Sequence, residues 1–381
     1  MLSMDKNQSR RLFLQRLGIG LGTTVVAAAI PSFLPDPTPG IINHKKKLGI
    51  ALVGLGNYAE NHLAVGLEKI SNGYLAGIVT GTPAKAEKWK KKYNIPPKNI
   101  YNYQNFDQIA DNKDIDIVYV VLPNSMHHEF VIRAAKAGKH VMCEKPMANS
   151  VRECEEMIKA CQDAGVQLGI GYRLHFEPFT KEVMRIGQQK VFGEVRFIQT
   201  NFGFSIGDPA QWRLKKAMAG GGPLMDVGIY CVQASRYVTG EEPIWVTAQY
   251  GPVTDKKLFA EVEESVSWQM EFPGGTISNG FTSYKSNIEQ LYVSANDGWI
   301  QLSPAYSYGP LQGKTHQGPM KQPIVHHQAI MLEAICQSFI DSKKFPVHIS
   351  GEEGLKDMQI LMSIYEAADS GKRIKLTGEF R

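Results

Sequence analysis

Residues 48 to 53 read LGIALV, an apolar run without polar alternation. Similar short runs recur at 74 to 79 (YLAGIV), 116 to 122 (DIVYVVL) and 140 to 144 (HVMCE), with helical patterns between them. Strands apolar on both faces belong to parallel sheets covered by helices, so this half predicts a doubly wound α/β sheet. The second half reads differently. Its strand-like runs, EVRFIQTN (194 to 201), IWVTAQY (244 to 250), SVSWQMEF (265 to 272) and QLYVSA (290 to 295), predict a mainly antiparallel sheet. Ser150 and Glu153 have the spacing of a capping box and predict a helix that Gly165 ends. Residues 355 to 372, LKDMQILMSIYEAADSGK, form an amphipathic pattern that predicts a last helix packing back on the first domain.

Chemistry enters directly after the first apolar run. Gly54-Leu55-Gly56-Asn57-Tyr58-Ala59 follows a strand and opens a helix, where glycines permit a tight turn and close backbone approach to a diphosphate. The pattern is weak alone; its strand-loop-helix setting gives it force, and Gly54, Gly56, Asn57 and Tyr58 become cofactor candidates. The second strand ends in Thr80-Gly81-Thr82, where an NAD-preferring chain usually carries a carboxylate for the ribose hydroxyl. Those small residues with Lys85 suit NADP better than NAD, although Lys85 also reads as a surface lysine beside Lys88, Lys90, Lys91 and Lys92. Ligands of such sheets lie at the C-terminal strand ends, which puts Pro123, Asn124, Glu144 and Lys145 on the functional edge. His127 and His128 open the next helix, as a cap or a cofactor contact, and with Glu129 alone beside them make a poor metal set.

Length and composition narrow the class. At 381 residues the chain favours two domains, and 43% hydrophobic and 21% charged residues without a fixed repeat describe a globular protein. The net charge of +5 is largely a property of the first 29 residues, which hold Lys6, Arg10, Arg11 and Arg16 against Asp5. No long basic run follows, and the Lys45-Lys46-Lys47 cluster reads as a solvated entry to the first strand, so nucleic-acid binding has little support. Five cysteines without a C-x-x-C pair speak against both a disulfide framework and a zinc site.

Ser9-Arg10-Arg11-Leu12-Phe13-Leu14-Gln15 resembles the twin-arginine export signal. The mildly apolar stretch from Leu17 to Ile30 is shorter than the roughly 20 residues of a membrane span, and Ala27-Ala28-Ala29 offers a cleavage site. Residues 1 to 29 therefore read as a signal peptide to a periplasmic compartment, with no stable membrane insertion after processing. Residues 30 to 46 read as a proline-rich arm, 47 to 170 as the NADP-binding domain and 171 to 381 as the substrate and oligomerisation domain. Twin-arginine export carries folded proteins, which suits a chain loaded with cofactor.

CEKPMANS (143 to 150), GYRLHFEPF (171 to 179), the stretch 211 to 243 around GGGPLMDVGIYC, and GEEGLKD (351 to 357) resemble the glucose-fructose oxidoreductase / inositol dehydrogenase (Gfo/Idh/MocA) family, nearest its exported, NADP-retaining branch. The resemblance implies an N-terminal Rossmann domain and a C-terminal domain built on a large open antiparallel sheet whose exposed face meets another subunit, giving a homodimer or homotetramer. It carries Lys145, before a Pro146 whose peptide bond is expected to be cis, to the substrate side of the nicotinamide. There an ammonium stabilises the alkoxide that forms as hydride leaves carbon. Tyr230 becomes the acid/base; tyrosine normally titrates near 10, so Lys145 must favour its phenolate. Asp226, at i−4 on the same helical face, is expected to bind a substrate hydroxyl or orient Tyr230. Tyr172, Arg173 and His175 are implied contacts of nicotinamide and sugar, and Trp212-Arg213 a cover over the cofactor. Relatives often carry a histidine near Leu332 to Ala334, whereas here His326 and His327 lie upstream.

The favoured reading is an exported NADP-dependent sugar oxidoreductase that keeps its cofactor and alternates between two sugars. An exported NAD-dependent glycosidase and a non-catalytic sugar-binding protein of the same fold are the alternatives.

Overall fold

The computed structural model describes residues 47–376 apart from residue 342, so the leader, the proline-rich arm and the last five residues lie outside the described residues. The first sheet runs β1 (Leu48–Val53), β2 (Gly73–Val79), β3 (Ile100–Tyr101), β4 (Ile117–Val120), β5 (His140–Cys143) and β6 (Leu168–Ile170). Its spatial order is β3-β2-β1-β4-β5-β6 with every pair parallel, the Rossmann arrangement expected from the apolar runs. Ile50, Leu52, Ile117 to Val120 and Val141 to Cys143 are each at most 1% exposed, which is why these strands show no polar alternation.

Order reverses between β1 and β4, and there the loops converge. Gly54 N–H donates to Val79 O at 3.0 Å, Val121 N–H to Val53 O at 2.8 Å, Glu144 N–H to Val120 O at 3.0 Å and Gly171 N–H to Cys143 O at 2.8 Å. The C-terminal strand ends are thereby tied into one ledge. Ser150 caps the helix Val151–Asp163 by accepting from Glu153 N–H, a contact worth about 1 kcal/mol; the Glu153 carboxylate reaches back to Asn149 N–H rather than to Ser150.

The second sheet contains β7 (Val195–Gly203), β8 (Trp245–Tyr250), β9 (Ser265–Glu271), β10 (Ile277–Ser283), β11 (Ile288–Ala295), β12 (Gly298–Leu302), β13 (Gly313–Thr315), β14 (Gly318–Pro319) and β15 (Ile374–Lys375). Its order is β14-β13-β12-β11-β7-β10-β9-β8-β15; all neighbours are antiparallel except β7 and β10, so the sheet is mixed by one pair. Val246, Val266, Met270, Ile198, Val293 and Ile300 line its buried face. Thr247, Gln249, Ser267 and Gln269 face outward, an alternation that identifies a half-covered sheet.

The last long helix, Gly351–Ser370, packs on Val151–Asp163, on β8 and on the helix Ile229–Thr239. Between it and Ile229–Thr239 lies a buried ionic knot. Arg236 meets Asp357 at 2.6 Å, Glu242 at 2.5 Å and Glu353 at 2.7 Å, and Lys356 adds a second cation. The five cysteines are buried and free. Among the described residues no helix is long and apolar enough to cross a membrane.

Candidate active site

β1 is followed directly by Gly54, whose φ of +97° and near contact with Val121 O (2.5 Å from an added Cβ) exclude a side chain. Gly56 is exposed, and a Cβ added there meets nothing within 4 Å. That leaves its backbone open to a diphosphate at the start of the following helix, so the loop fits a dinucleotide. The helix begins with a π turn, Ala59–Leu63, which continues into Ala64–Leu67. A second π turn, Leu224–Gly228, precedes Ile229–Thr239, and both turns sit beside the same ledge.

β2 delivers Thr80, which is buried and accepts from Thr82 N–H at 3.2 Å; Gly81, Thr82 and Lys85 are exposed beyond it. The loop after β5 brings Lys145 to the ledge, and the Lys145–Pro146 bond is cis. The Lys145 ammonium donates to the main-chain oxygen of Asp226 at 2.7 Å and lies 3.5 Å from its Oδ1. It also stands 4.9 Å from the centre of the Tyr230 ring. Three predicted catalytic residues from two distant segments therefore meet.

Their connections differ from the expectation in one respect. Asp226 Oδ2 accepts from Arg213 Nε at 2.9 Å and from Tyr284 OH at 3.1 Å, so the carboxylate is engaged by these donors rather than orienting Tyr230, and Lys145 is held chiefly by the backbone oxygen. The physical reason is competition: Arg213 and Tyr284, donors from outside the helical run, take the Asp226 carboxylate. Burial would raise the Asp226 carboxyl, but Arg213, Lys145 and the Tyr284 hydrogen bond outweigh it and hold it below the usual carboxylate range. Arg213 stacks on Trp212 with its guanidinium 4.7 Å from the ring, so this pair braces Asp226.

Arg173 is 2% exposed and stands 5.2 Å from the centre of the Tyr230 ring and 4.6 Å from that of Tyr308. It donates to Ser307 O at 3.1 Å, to Tyr306 O, and to His327 Nδ1 at 2.9 Å. A guanidinium only donates, so His327 accepts through Nδ1 and carries its proton on Nε2. Burial and the neighbouring Arg173 push the His327 pKa down to about 3. Tyr308 in turn stacks on His62 at 3.9 Å and leans on Tyr58 at 5.7 Å, joining the second half of the chain to the first π turn.

Several expected contacts lie elsewhere. Tyr172 is 2% exposed among Asp357 and Tyr237, and His175 stacks on Tyr237 at 3.8 Å and on His348 at 4.4 Å; both side chains belong to the interior on the far side of the 3-10 turn Arg173–Phe176. His127 has no exposed surface, and its ring nitrogens face Leu122 O at 2.8 Å and Pro146 O at 3.0 Å, so it ties two loops together instead of reaching a cofactor. Glu144 accepts from Tyr119 OH at 2.6 Å beneath the ledge, where burial raises its carboxyl despite that bond and Lys145 nearby. Asn124 donates to Ala219 O at 2.9 Å, and Pro123 opens the turn before it. Tyr284, Tyr308 and His62 carry no mark in the sequence, because nothing local distinguishes a residue whose partners lie dozens to hundreds of positions away.

Residues 48–172 match the oxidoreductase family with an NAD-binding Rossmann fold, and residues 180–301 match the GFO/IDH/MocA C-terminal domain. The NADP(+) D-xylose 1-dehydrogenase of Haloarcula marismortui is 29% identical over 289 residues, 72% of this chain and 78% of the relative. The crystal structure of aldose-aldose oxidoreductase from Caulobacter crescentus, complexed with glycerol, is 42% identical with a TM-score of 0.84, covering 87% of this chain and 100% of that one. A levoglucosan dehydrogenase in complex with NADH and levoglucosan shares the fold at 19% identity, with a TM-score of 0.75 over 87% of this chain and 100% of that one.

Proposed function

The chain belongs to the Gfo/Idh/MocA family of NAD(P)-dependent oxidoreductases and is a sugar oxidoreductase, and from that premise we propose that it is an exported, NADP-retaining enzyme that moves hydride between two aldoses. The observation that carries this reading is the meeting of Lys145, Asp226 and Tyr230 at the ledge beside Gly54 and Gly56.

Bound nicotinamide dinucleotide supplies the hydride acceptor. A sugar hydroxyl seated between Lys145 and Tyr230 gives its proton to the Tyr230 oxygen as the carbon is oxidised, and the Lys145 ammonium stabilises the developing alkoxide. The cations of Lys145 and Arg173 both stand near the Tyr230 ring, 4.9 and 5.2 Å from its centre, beside the hydroxyl that takes up the proton. In the return half-reaction Tyr230 protonates the carbonyl oxygen of the second sugar. Asp226 keeps the ammonium in place through its backbone oxygen.

NADP is favoured because the end of β2 offers Thr80, Gly81, Thr82 and Lys85 and no carboxylate against a 2′-phosphate. Retention is supported by the Tyr308–His62 stack, which spans from the second half to the helix that follows the glycine loop, and by the proline-rich stretch 31 to 40 as an arm. The export reading rests on Ser9 to Gln15, and it gives retention a purpose, since a periplasmic compartment has no soluble nicotinamide pool. The uncharged outer face around Thr247, Gln249, Ser267 and Gln269 suits a second copy in a homodimer or homotetramer. Protein purified without added nucleotide and then denatured is expected to release NADP or NADPH in equal amount to the chain. An empty protein would end the retention reading, and released NAD would end the NADP reading.

A further inference from the structure

We propose that Glu263, braced by Tyr365, is a positioning residue for the reaction, setting through the Gly222 to Leu224 backbone the turn from which Asp226 holds Lys145; this deepens the reading above and rests on it. The bond that seats the Lys145 ammonium runs to a main-chain oxygen, that of Asp226, at 2.7 Å. Backbone placement of the Leu224–Gly228 turn therefore sets the position of the charge. Two residues upstream of Asp226, Leu224 N–H donates to Glu263 Oε1 at 3.1 Å, and Gly222 N–H donates to Glu263 Oε2 at 2.9 Å. Tyr365 OH donates to Oε1 at 2.8 Å from the helix Gly351–Ser370.

These N–H groups open a helical run and have no acceptor within it, so a carboxylate across them fixes the entry of the turn. The local sequence permits the approach. A Cβ on Gly221 would lie 2.0 Å from Tyr365 OH, and one on Gly222 would lie 2.5 Å from Glu263 O and 3.0 Å from its carboxylate. Glu263 and Tyr365 also line a cavity of about 520 Å³ shared with Tyr250, Phe259 and Asp369, so the carboxylate touches this cavity and not the ledge. Its effect on chemistry passes through Gly222, Leu224 and Asp226.

Three donors converge on two carboxylate oxygens, and an amide serves only one of those oxygens as an acceptor while its NH2 faces a donor. Glu263→Gln is therefore expected to lower kcat roughly 10- to 100-fold, the cost of a misplaced catalytic group. The aldose KM and the bound cofactor per folded chain stay close to those of the parent, while the unfolding midpoint drops modestly because a buried donor loses its acceptor. Tyr365→Phe keeps the carboxylate and loses one brace, so it lowers kcat in the same direction by a smaller factor. An unchanged kcat in Glu263→Gln, or a loss that matches the fraction of unfolded or cofactor-free protein in both variants, overturns the proposal. Lys145→Ala measured alongside separates the two levels: if it abolishes turnover while Glu263→Gln is silent, the functional reading stands and the positioning role falls. If Lys145→Ala is itself silent, the functional reading falls first.

Discussion

The helical run from Leu224 to Thr239 carries a buried ionic cluster at each end, and the two are built on opposite terms. At its far end Arg236 is met by Asp357, Glu242 and Glu353, with Lys356 on Glu242 and Glu353. At its near end one carboxylate, Asp226, is shared by Arg213 and Lys145 with Tyr284 as a further donor. The first cluster has each guanidinium nitrogen engaged and joins helices. The second is cation-rich and keeps ammonium hydrogens beyond those that Asp226 accepts, as a site must if it is to take a developing negative charge from a substrate. Saturation marks the structural cluster and a remaining donor marks the chemical one.

Substitutions sharpen that contrast. Lys145→Ala should lower kcat/KM by roughly 100- to 1,000-fold or more, the loss expected when a preorganised donor to a developing oxyanion is removed, with little change in unfolding midpoint. Tyr230→Phe should cost about 100- to 10,000-fold in kcat with the fold intact. Steady-state kinetics beside thermal unfolding check both, and a stability loss in place of an activity loss would make the near cluster structural. Arg236→Ala should do the reverse. It strands buried carboxylates and should destabilise by about 3 to 5 kcal/mol in denaturant unfolding, with turnover per folded chain retained.

The smallest effect is a pH effect. With its pKa pushed down to about 3, His327 stays neutral in the folded chain while the unfolded chain takes up a proton below about pH 6.5. Stability from this group is present above that pH and is lost as pH falls toward 3. His327→Asn keeps an acceptor for Arg173 and removes the titration. Its stability should fall less steeply between about pH 6.5 and 4, by at most about 1.4 kcal/mol per pH unit. Parallel slopes for the two proteins would contradict the burial argument.

These contrasts also show what a sequence displays. β1, its glycine loop, the alternating strands of the second half and the Ser150 cap are legible because each depends on neighbours two to four positions away. Lys145, Asp226 and Tyr230 are legible through motif resemblance, and they do meet. The directions of side chains are not. Tyr172, Arg173 and His175 lie within four residues on a tight turn, and which of them faces the ledge is decided by Tyr230, Asp357 and His348, far along the chain. The expected pairing of Asp226 with Tyr230 gives way to Arg213, Tyr284 and Lys145, partners 13 to 81 positions away that no local pattern announces.

The central claim is that a retained cofactor is reduced and reoxidised by sugars at the Lys145–Tyr230 ledge. Protein purified without nucleotide should be mixed with an aldose while the near-ultraviolet absorbance of reduced nicotinamide is followed. The account predicts a rise that stops at one equivalent per chain and reverses when a second aldose, the acceptor, is added. No rise until soluble NADP is supplied, followed by continuous turnover, would contradict it.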